Sequence, residues 1–230
     1  MDGQSSTILY TASTWIVPVI LAITLHEAAH GYAARILGDN TAWRLGRVTL
    51  NPLKHVDPFG TILLPAMLLL MRAPFLFGYA KPVPVNFSAL RNPRSGMVLV
   101  ALAGPGINIL LAAISALLIH PARYLPEPVS DWVIQNLVNS IIINVVLAVF
   151  NMLPIPPLDG GRVAVGLLPA PISKPLAELE PYGLFILIGI IFILPLLGQN
   201  LGLNLNFVSS FISTISNAII SAIAALAGLR

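Results

Sequence analysis

The sequence predicts an all-α polytopic membrane protein with about five to six transmembrane helices, a re-entrant segment and short β-hairpin elements near the cytoplasmic face. Of its 230 residues, 57% are hydrophobic and only 9% are charged, whereas ordinary soluble chains carry about 25% charged residues. Apolar stretches near the roughly 20 residues needed to cross a bilayer recur along the chain. A lipid bilayer is therefore the solvent that fits this composition, and 12 Lys and Arg are too few for a nucleic-acid partner.

The hydropathy pattern gives the predicted elements in chain order. Apolar stretches suited to membrane spans lie at about 9–36, 96–120, 131–153, 182–197 and 203–228. A sixth, at 59–70, is too short to cross comfortably and predicts either a short span or a re-entrant segment. The neighbouring polar runs are strand-like, because 47–50 is β-prone and 81–86 has the alternating prolines of an edge strand or a polyproline segment.

The pattern contains no internal repeat and no appended soluble region, so we expect one membrane domain over residues 1–230. Its core would span about 9–168. The two additional helices within 182–228 would either gate access to that core or only complete the bundle.

The basic residues are distributed asymmetrically along this predicted topology. If 59–70 dips into the membrane and returns, eleven of the twelve basic residues fall on one side and only Arg123 on the other. Because Lys and Arg concentrate in cytoplasmic loops, this predicts a multi-pass protein of the cytoplasmic membrane with its N-terminus outside and its C-terminus inside. The eleven are Arg35, Arg44, Arg47, Lys54, Arg72, Lys81, Arg91, Arg94, Arg162, Lys174 and Arg230.

The first apolar stretch contains the pattern HEAAH at 26–30. At 3.6 residues per turn, His26 and His30 project from one face of a helix and can bind one metal ion, with Glu27 beside it as general base. Ionisable residues at membrane depth are costly, which makes them candidates for a functional site. A helix interface or a proton relay is the alternative interpretation. The chain has no cysteine, so disulfides and thiolate metal sites are excluded.

Asp159 is the natural candidate for a third metal ligand. It follows three prolines and precedes two glycines, in a run that must break the helix ending near Leu153. Non-helical backbone at membrane depth is tolerated only where protein or a water-filled cavity covers it, so the break indicates a site. The alternative is an ordinary surface turn with a solvated carboxylate.

Three motifs together resemble one known family. They are HEAAH at 26–30, GPGIN at 104–108 and NMLPIPPLDG at 151–160, in that order. In this combination the chain is similar to the site-2 protease family of intramembrane zinc metalloproteases, peptidase M50, over about residues 20–168. It resembles the short prokaryotic form, because 230 residues leave no room for a PDZ or CBS domain.

The resemblance implies one Zn²⁺ per chain, held by His26, His30 and Asp159. It implies that Glu27 is the catalytic base. It also implies that Asn108 lies near the site and helps to stabilise the oxyanion, although the G-P-x-x-N pattern is equally typical of ordinary helix packing. The implied active site opens towards the cytoplasm.

The substrate of such an enzyme would be a transmembrane protein or peptide in the lipid bilayer. A transmembrane helix must unwind locally before its amides can be cleaved, and an edge strand could capture the unwound segment by β-augmentation. Asn151 could also hold the substrate backbone, or only cap a helix. His55, beside Asp57, is interpreted as a structural hydrogen-bonding residue. The candidate strand consists of Lys81, Pro82, Val83, Pro84, Val85 and Asn86, and the alternative interpretation is a surface loop that only shapes the re-entrant element.

Two other functions use the same residues. A metal-binding membrane transporter would need the ligands but not Glu27 as a base, and such proteins usually show repeated halves, which this sequence lacks. A non-catalytic scaffold would not need intact HEAAH and LDG motifs. A regulatory subunit acting in trans and the oligomeric state are left open by the sequence.

Overall fold

The computed structural model describes residues 3–70 and 78–229. The predictions that concern Arg72 and Arg230 therefore lie outside the described residues. The ten α-helices in these ranges are α1 (Gly3–Ile36), α2 (Thr41–Arg44), α3 (Leu64–Leu70), α4 (Pro93–Ala122), α5 (Val129–Asn151), α6 (Asp159–Leu167), α7 (Ala170–Glu178), α8 (Gly183–Ile188), α9 (Leu194–Asn200) and α10 (Phe207–Leu226). Short 3₁₀ or π-helical turns lie at Pro52–His55, Pro58–Leu63, Phe87–Ala89, Glu180–Tyr182 and Gly189–Ile193.

The prediction of an all-α membrane protein is confirmed. Across the described ranges, five helical stretches are long and apolar enough to cross a membrane, and they match the five predicted stretches. They are Thr7–Ile36, Pro93–Ala122, Val129–Asn151, Ala170–Gln199 and Phe207–Leu226. The apolar helix at Pro58–Leu68 is shorter, as expected from its sequence.

Helices α1, α4 and α5 form the centre of the bundle, and α10 packs on α4 and α5. Small side chains allow the close approach, since Ala112 and Ala116 of α4 are fully buried against Val145 of α5. Buried polar side chains also link these helices in pairs: Asn139 of α5 donates to the Thr14 carbonyl of α1 at 3.0 Å. In a bilayer, packing of small residues and interhelical hydrogen bonds replace the hydrophobic drive of soluble cores.

Helix α5 ends at Asn151, and α6 begins at Asp159. The prolines between them cannot continue a helix. Gly160 and Gly161 then bring the start of α6 against the preceding turn, where a Cβ on Gly160 would collide with the Met152 carbonyl. The predicted break is thus present, and it places Asp159 in a buried position.

The predicted β-hairpin elements are wrong: no strand occurs in residues 3–70 and 78–229. Residues 81–86 are irregular because their backbone groups pair with other partners than a strand. The Lys81 amide donates to the His55 carbonyl at 2.9 Å, and the Asn86 amide donates to Asp39 Oδ2 at 2.7 Å. Arg47 Nη2 donates to the Lys81 carbonyl at 2.8 Å.

The start of α1 and the end of α10 lie at the same end of the bundle. Near the start of α1, Ser13 Oγ accepts a hydrogen bond from Trp132 Nε1 at the start of α5, at 3.0 Å. Near the end of α10, the Ala227 carbonyl accepts from His120 Nε2 at the end of α4, at 2.6 Å. Both contacts flank the loop between α4 and α5.

Helix α10 begins at the opposite end, where Val208 and Ile212 pack against Leu153 and Leu158 after the end of α5. It therefore runs antiparallel to α5. The start of α1 and the end of α10 thus lie at the same end of the bundle, whereas the sequence predicted the two termini on opposite sides of the membrane. The reason is that Leu168, before 170–200, is bonded by Arg94 at the start of α4, and Val208, after it, packs near Leu153, so both lie at the same end of the bundle, which apolar length alone does not reveal.

Candidate metal centre

The H-E-x-x-H pattern lies in the second half of α1. His26 and His30 are one helical turn apart and face the same way, with their Nε2 atoms 3.0 Å apart. Both residues are buried, at 7% and 8% exposure. The helical spacing thus brings two ring nitrogens together without any loop, as predicted.

The hydrogen bond of His30 fixes its tautomer. Its Nδ1 lies 2.7 Å from the Val100 carbonyl of α4. A carbonyl oxygen only accepts, so Nδ1 carries the proton and Nε2 keeps a lone pair. That lone pair faces His26.

Asn108 of α4 fixes the tautomer of His26 in the same way. Its Nδ2 donates to the Ala22 carbonyl at 3.3 Å, so its Oδ1 is the end that lies 2.5 Å from His26 Nδ1. His26 Nδ1 therefore donates, and its Nε2 also keeps a lone pair. Asn108 is fully buried with both ends of its amide engaged, so it supports His26 and does not face the cavity.

Asp159, from the first turn of α6, completes the group. Its Oδ2 lies 3.2 Å from His26 Nε2 and 3.3 Å from His30 Nε2. This Oδ2 atom is buried and has no hydrogen-bond partner among the described residues. Three lone-pair donors that converge without a proton between them repel one another, and a bound cation removes that repulsion.

The donor set fits zinc. Two imidazole nitrogens and one carboxylate oxygen are common zinc ligands, and catalytic sites use three protein ligands with one open position. Tetrahedral ligand bonds of about 2.0–2.1 Å place neighbouring donor atoms about 3.3 Å apart, which matches the separations of 3.0 to 3.3 Å observed here.

Gly104 of α4 packs directly against this group. A Cβ at this position would collide with imidazole atoms of both His26 and His30. A Cβ at Gly106, two residues later, would meet nothing within 4 Å. The first glycine of the GPGIN motif is therefore required for the approach of α4 to the metal centre.

Glu27 is half-buried beside the ligands. Its Oε2 accepts a hydrogen bond from the Val83 amide at 2.7 Å, and no other hydrogen bond involves this carboxylate among the described residues. Glu27, both histidines and Asp159 line a mainly apolar cavity of about 750 Å³. One oxygen of the Glu27 carboxylate is thus anchored by the 81–86 segment, and the Glu27 side chain also borders the cavity.

The other residues predicted to contact substrate lie near the same cavity. Pro82, Val83 and Val85 line it, as does Asn151, whose Nδ2 donates to the Leu147 carbonyl at 3.0 Å. Lys81, Pro84 and Asn86 belong to the same segment but are not among its lining residues.

His55 is buried, and its Nε2 donates to the Thr49 carbonyl at 3.0 Å. This hydrogen bond fits the predicted structural role. His55 also lines the cavity, but it is not part of the metal-ligating group.

Asp39 joins the end of α1 to the 81–86 segment. Thr41 donates to its Oδ1 through both the amide, at 2.8 Å, and the hydroxyl, at 2.5 Å, while Asn86 donates to Oδ2. Burial alone would raise the pKa of the Asp39 carboxyl, but these hydrogen bonds outweigh it and hold the pKa below its ordinary value of 3.8. Asp39 therefore helps to place the segment that anchors Glu27.

Several of these contributors were not predicted. The Val83 amide and the Val100 carbonyl are backbone groups that no residue pattern reveals. Asn144, which accepts a hydrogen bond from Asn108 at 2.7 Å, did carry a signal, because an amide side chain within an apolar span is unusual.

A helical membrane bundle with two histidines, an aspartate and an adjacent glutamate in a buried cavity defines the class of membrane-embedded metal-dependent hydrolases. The sequence profile described as Peptidase family M50 matches residues 124–196. The chain is 42% identical over 185 residues to a Bacillus subtilis (strain 168) protein named "Putative zinc metalloprotease YwhC", across 79% of this chain and 80% of that protein.

A protein of Mycolicibacterium smegmatis, named "Putative zinc metalloprotease Rip2", is 28% identical over 180 residues, which cover 78% of this chain and 66% of Rip2. A Mycobacterium tuberculosis (strain H37Rv) protein of the same name is 28% identical over 77% of this chain and 66% of its own length. No solved structure matches the chain. The chain belongs to peptidase family M50.

Proposed function

We propose that the chain is an intramembrane zinc metalloprotease that hydrolyses peptide bonds within or near transmembrane segments of membrane proteins. The observation that carries this proposal is the convergence of His26, His30 and Asp159 beside Glu27 in an apolar cavity. These three side chains would hold one zinc ion. A metal transporter is not favoured, because it has no use for Glu27 at this position.

A bound zinc ion would supply Lewis acidity and would make water easier to deprotonate at this site. Glu27 takes a proton from the attacking water and returns it to the leaving amine. The Val83 amide holds Glu27 Oε2 in place during both transfers. Asn108 acts through His26, keeping the imidazole lone pair directed at the metal, and is a positioning residue, not an oxyanion donor.

The substrate is an apolar segment that lies extended along 81–86. The cavity suits an apolar side chain, and the prolines at 82 and 84 leave this segment with few amide donors of its own. Among the described residues, the Val85 amide and the Val83 and Val85 carbonyls have no hydrogen-bond partner. They can pair with an unwound substrate backbone even though 81–86 forms no strand in this state.

The metal centre lies towards the cytoplasmic end of the bundle. Of the ten described basic residues, nine belong to segments at that end, and only Arg123 lies in the loop between α4 and α5. The positive-inside rule then puts the start of α1 outside.

The segment that begins at 59–70 is re-entrant. This assignment is supported by the return of the chain, because the Tyr79 amide donates to the Gly60 carbonyl at 3.0 Å and Thr61 Oγ1 donates to the Tyr79 carbonyl at 2.8 Å. The helix Pro58–Leu68 that starts from this level is shorter than the roughly 20 residues needed to cross the bilayer.

The helices within 182–228 gate the cavity. Leu184 and Leu187 of α8 line it, and the preceding turn is tied to α6 by an ion pair between Arg162 and Glu180 at 3.0 Å. Motion of α8 away from α6 would open a lateral path for a helical substrate.

Glu27→Gln tests the proposed function. The variant keeps the size and the Val83 hydrogen bond but cannot take a proton, so cleavage of a single-pass membrane substrate should fall by about 10²–10⁴-fold. Zinc should stay near one per chain, measured on purified protein in detergent. Glu178→Gln, at an exposed position of α7, is the matched control and should cleave normally.

His26→Ala should lose both zinc and cleavage. Wild-type protein that binds no zinc, or Glu27→Gln that cleaves at the wild-type rate, would refute the proposed function.

A further inference from the structure

We infer that Asn144 of α5 fixes the tautomer of His26 through the Asn108 amide, and so holds the His26 lone pair on the metal. The inference rests on the proposed function, since it takes His26 as a zinc ligand. It adds a positioning residue from α5, a helix that supplies no metal ligand.

The orientation of the Asn144 amide is set by the backbone. Its Nδ2 donates to the Ser140 carbonyl at 2.9 Å, one turn earlier on α5. A carbonyl oxygen cannot donate, so the amide nitrogen of Asn144 has to face it. The opposite end, Oδ1, is thereby turned towards α4.

Asn144 Oδ1 in turn sets the orientation of Asn108. It accepts a hydrogen bond from Asn108 Nδ2 at 2.7 Å, whereas the other acceptor of that nitrogen, the Ala22 carbonyl, is at 3.3 Å. The shorter contact is the stronger one. With Nδ2 held on this side, Oδ1 of Asn108 is the atom presented to His26.

The orientation of Asn108 decides which nitrogen of His26 carries the proton. As observed, Asn108 Oδ1 accepts from His26 Nδ1, and the Nε2 lone pair is available to a metal. A reversed amide would present a donor to Nδ1, which favours the proton on Nε2 and removes the metal-binding lone pair. Each hydrogen bond from Ser140 to His26 therefore has its donor and acceptor fixed by the one before it.

This support is needed at His26 and not at His30. His30 Nδ1 faces the backbone carbonyl of Val100, which can only accept. The partner of His26 is a side-chain amide, which can turn over and exchange its acceptor for a donor. Only His26 thus depends on the two acceptors that hold its partner amide, the Ala22 carbonyl at 3.3 Å and Asn144 Oδ1 at the shorter 2.7 Å.

Because Asn108 and Asn144 are buried, water does not compete with Asn144 for the hydrogen bond that orients Asn108. Asn108 and Asn144 are 0% and 1% exposed, and neither is among the described residues that line the cavity. Asn144 therefore contacts neither substrate nor bulk water. A polar side chain buried at this depth is costly unless its hydrogen bonds are made, which is the case here.

The test compares Asn144→Ala with Asn139→Ala. Asn139 is the matched control, because it lies on the same helix, is 2% exposed and bonds the Thr14 carbonyl of α1, yet has no link to His26. Zinc affinity of the full chain in detergent is measured by competition with a chelator. Asn144→Ala should bind zinc about fivefold more weakly than wild type, the effect of one ordinary hydrogen bond, and Asn139→Ala should bind as wild type does.

Asn144→Asp provides the rescue. It keeps an acceptor oxygen for Asn108 Nδ2, so its zinc affinity should exceed that of Asn144→Ala. Asn144→Ser, which is too short to reach Asn108, should behave like Asn144→Ala and serves if the alanine variant does not fold. An aspartate variant no better than serine would overturn the inference.

A direct measurement of the tautomer uses ¹⁵N-labelled histidine, since the chain has only 4 histidines. In zinc-loaded wild type, the ¹⁵N shifts of His26 should show a protonated Nδ1 and a metal-bound Nε2. Asn144→Ala or Asn144→Ser should show a mixture of tautomers, and Asn139→Ala should not. A wild-type pattern in all variants would overturn the inference while leaving zinc binding by wild type, and so the proposed function, intact.

Discussion

At the scale of single residues, the metal centre depends on Gly104 as much as on its ligands. The absence of a side chain lets α4 pass against both imidazoles, which in turn brings Val100 and Asn108 within hydrogen-bond distance of the two Nδ1 atoms. Gly104 lies in a regular helix and needs no unusual backbone conformation. A glycine is therefore required here for the close packing and not for the backbone angles.

Gly104→Ala tests this reason. The added methyl group would displace the imidazoles, so we expect loss of zinc affinity by at least about tenfold, as for other disturbances around metal ligands, and a parallel loss of cleavage. Gly106→Ala on the same helix has open space for its Cβ and should retain both. Zinc content after dialysis against a chelator measures the difference, and equal zinc retention in the two variants would contradict the explanation.

At the scale of elements, an irregular segment replaces the predicted strand. Residues 81–86 are fixed by the Asp39 carboxylate, the Arg47 side chain and the His55 carbonyl, so that the Val83 amide reaches Glu27. The alternating prolines predicted an edge strand or a polyproline segment, but 81–86 is irregular. They could not predict its partners, which come from distant parts of the chain.

The Asp39 link predicts a pH dependence of stability. A carboxyl whose pKa is lower in the folded than in the unfolded state stabilises the fold above its unfolded pKa, and this stabilisation is lost as the pH falls through the lowered folded value. Asp39→Asn removes the acceptor for the Asn86 amide. The metal-free variant should be less stable than wild type by about 1–3 kcal/mol at pH 7.

This difference should shrink once the pH falls below the ordinary Asp39 pKa of 3.8. Thermal unfolding in detergent at several pH values measures it, with the exposed Glu178→Gln as the control. A difference that is constant down to the lowest pH would show that the charge on Asp39 does not stabilise the fold.

At the scale of the whole molecule, the direction of α10 sets the topology. Its contact with His120 places its end beside the loop between α4 and α5, on the side where α1 begins. Consequently the chain enters and leaves 170–200 at the same end of the bundle, even though Ala170–Gln199 is long and apolar enough to cross a membrane.

Single introduced cysteines test this topology. The chain contains no cysteine of its own, so only the introduced thiol can be labelled. Tyr124→Cys and Leu226→Cys are at exposed positions near that end, and Leu50→Cys is exposed near the metal-centre end. A membrane-impermeant maleimide should label the first two from the same side, outside, and the third only from the cytoplasmic side. Labelling of Leu226→Cys together with Leu50→Cys would contradict the arrangement.

The sequence by itself determined the solvent, the helical class and the four residues proposed to carry the chemistry. Composition identifies a bilayer protein without any contact being known. His26, Glu27 and His30 lie within one helical turn, so local geometry alone brings them together, and the helix break identifies Asp159. Tertiary structure decided which groups hold these residues in place and which way α10 runs. Those features depend on contacts between residues far apart in the chain, such as Glu27 with Val83 and Asn108 with Asn144, and no local pattern encodes them.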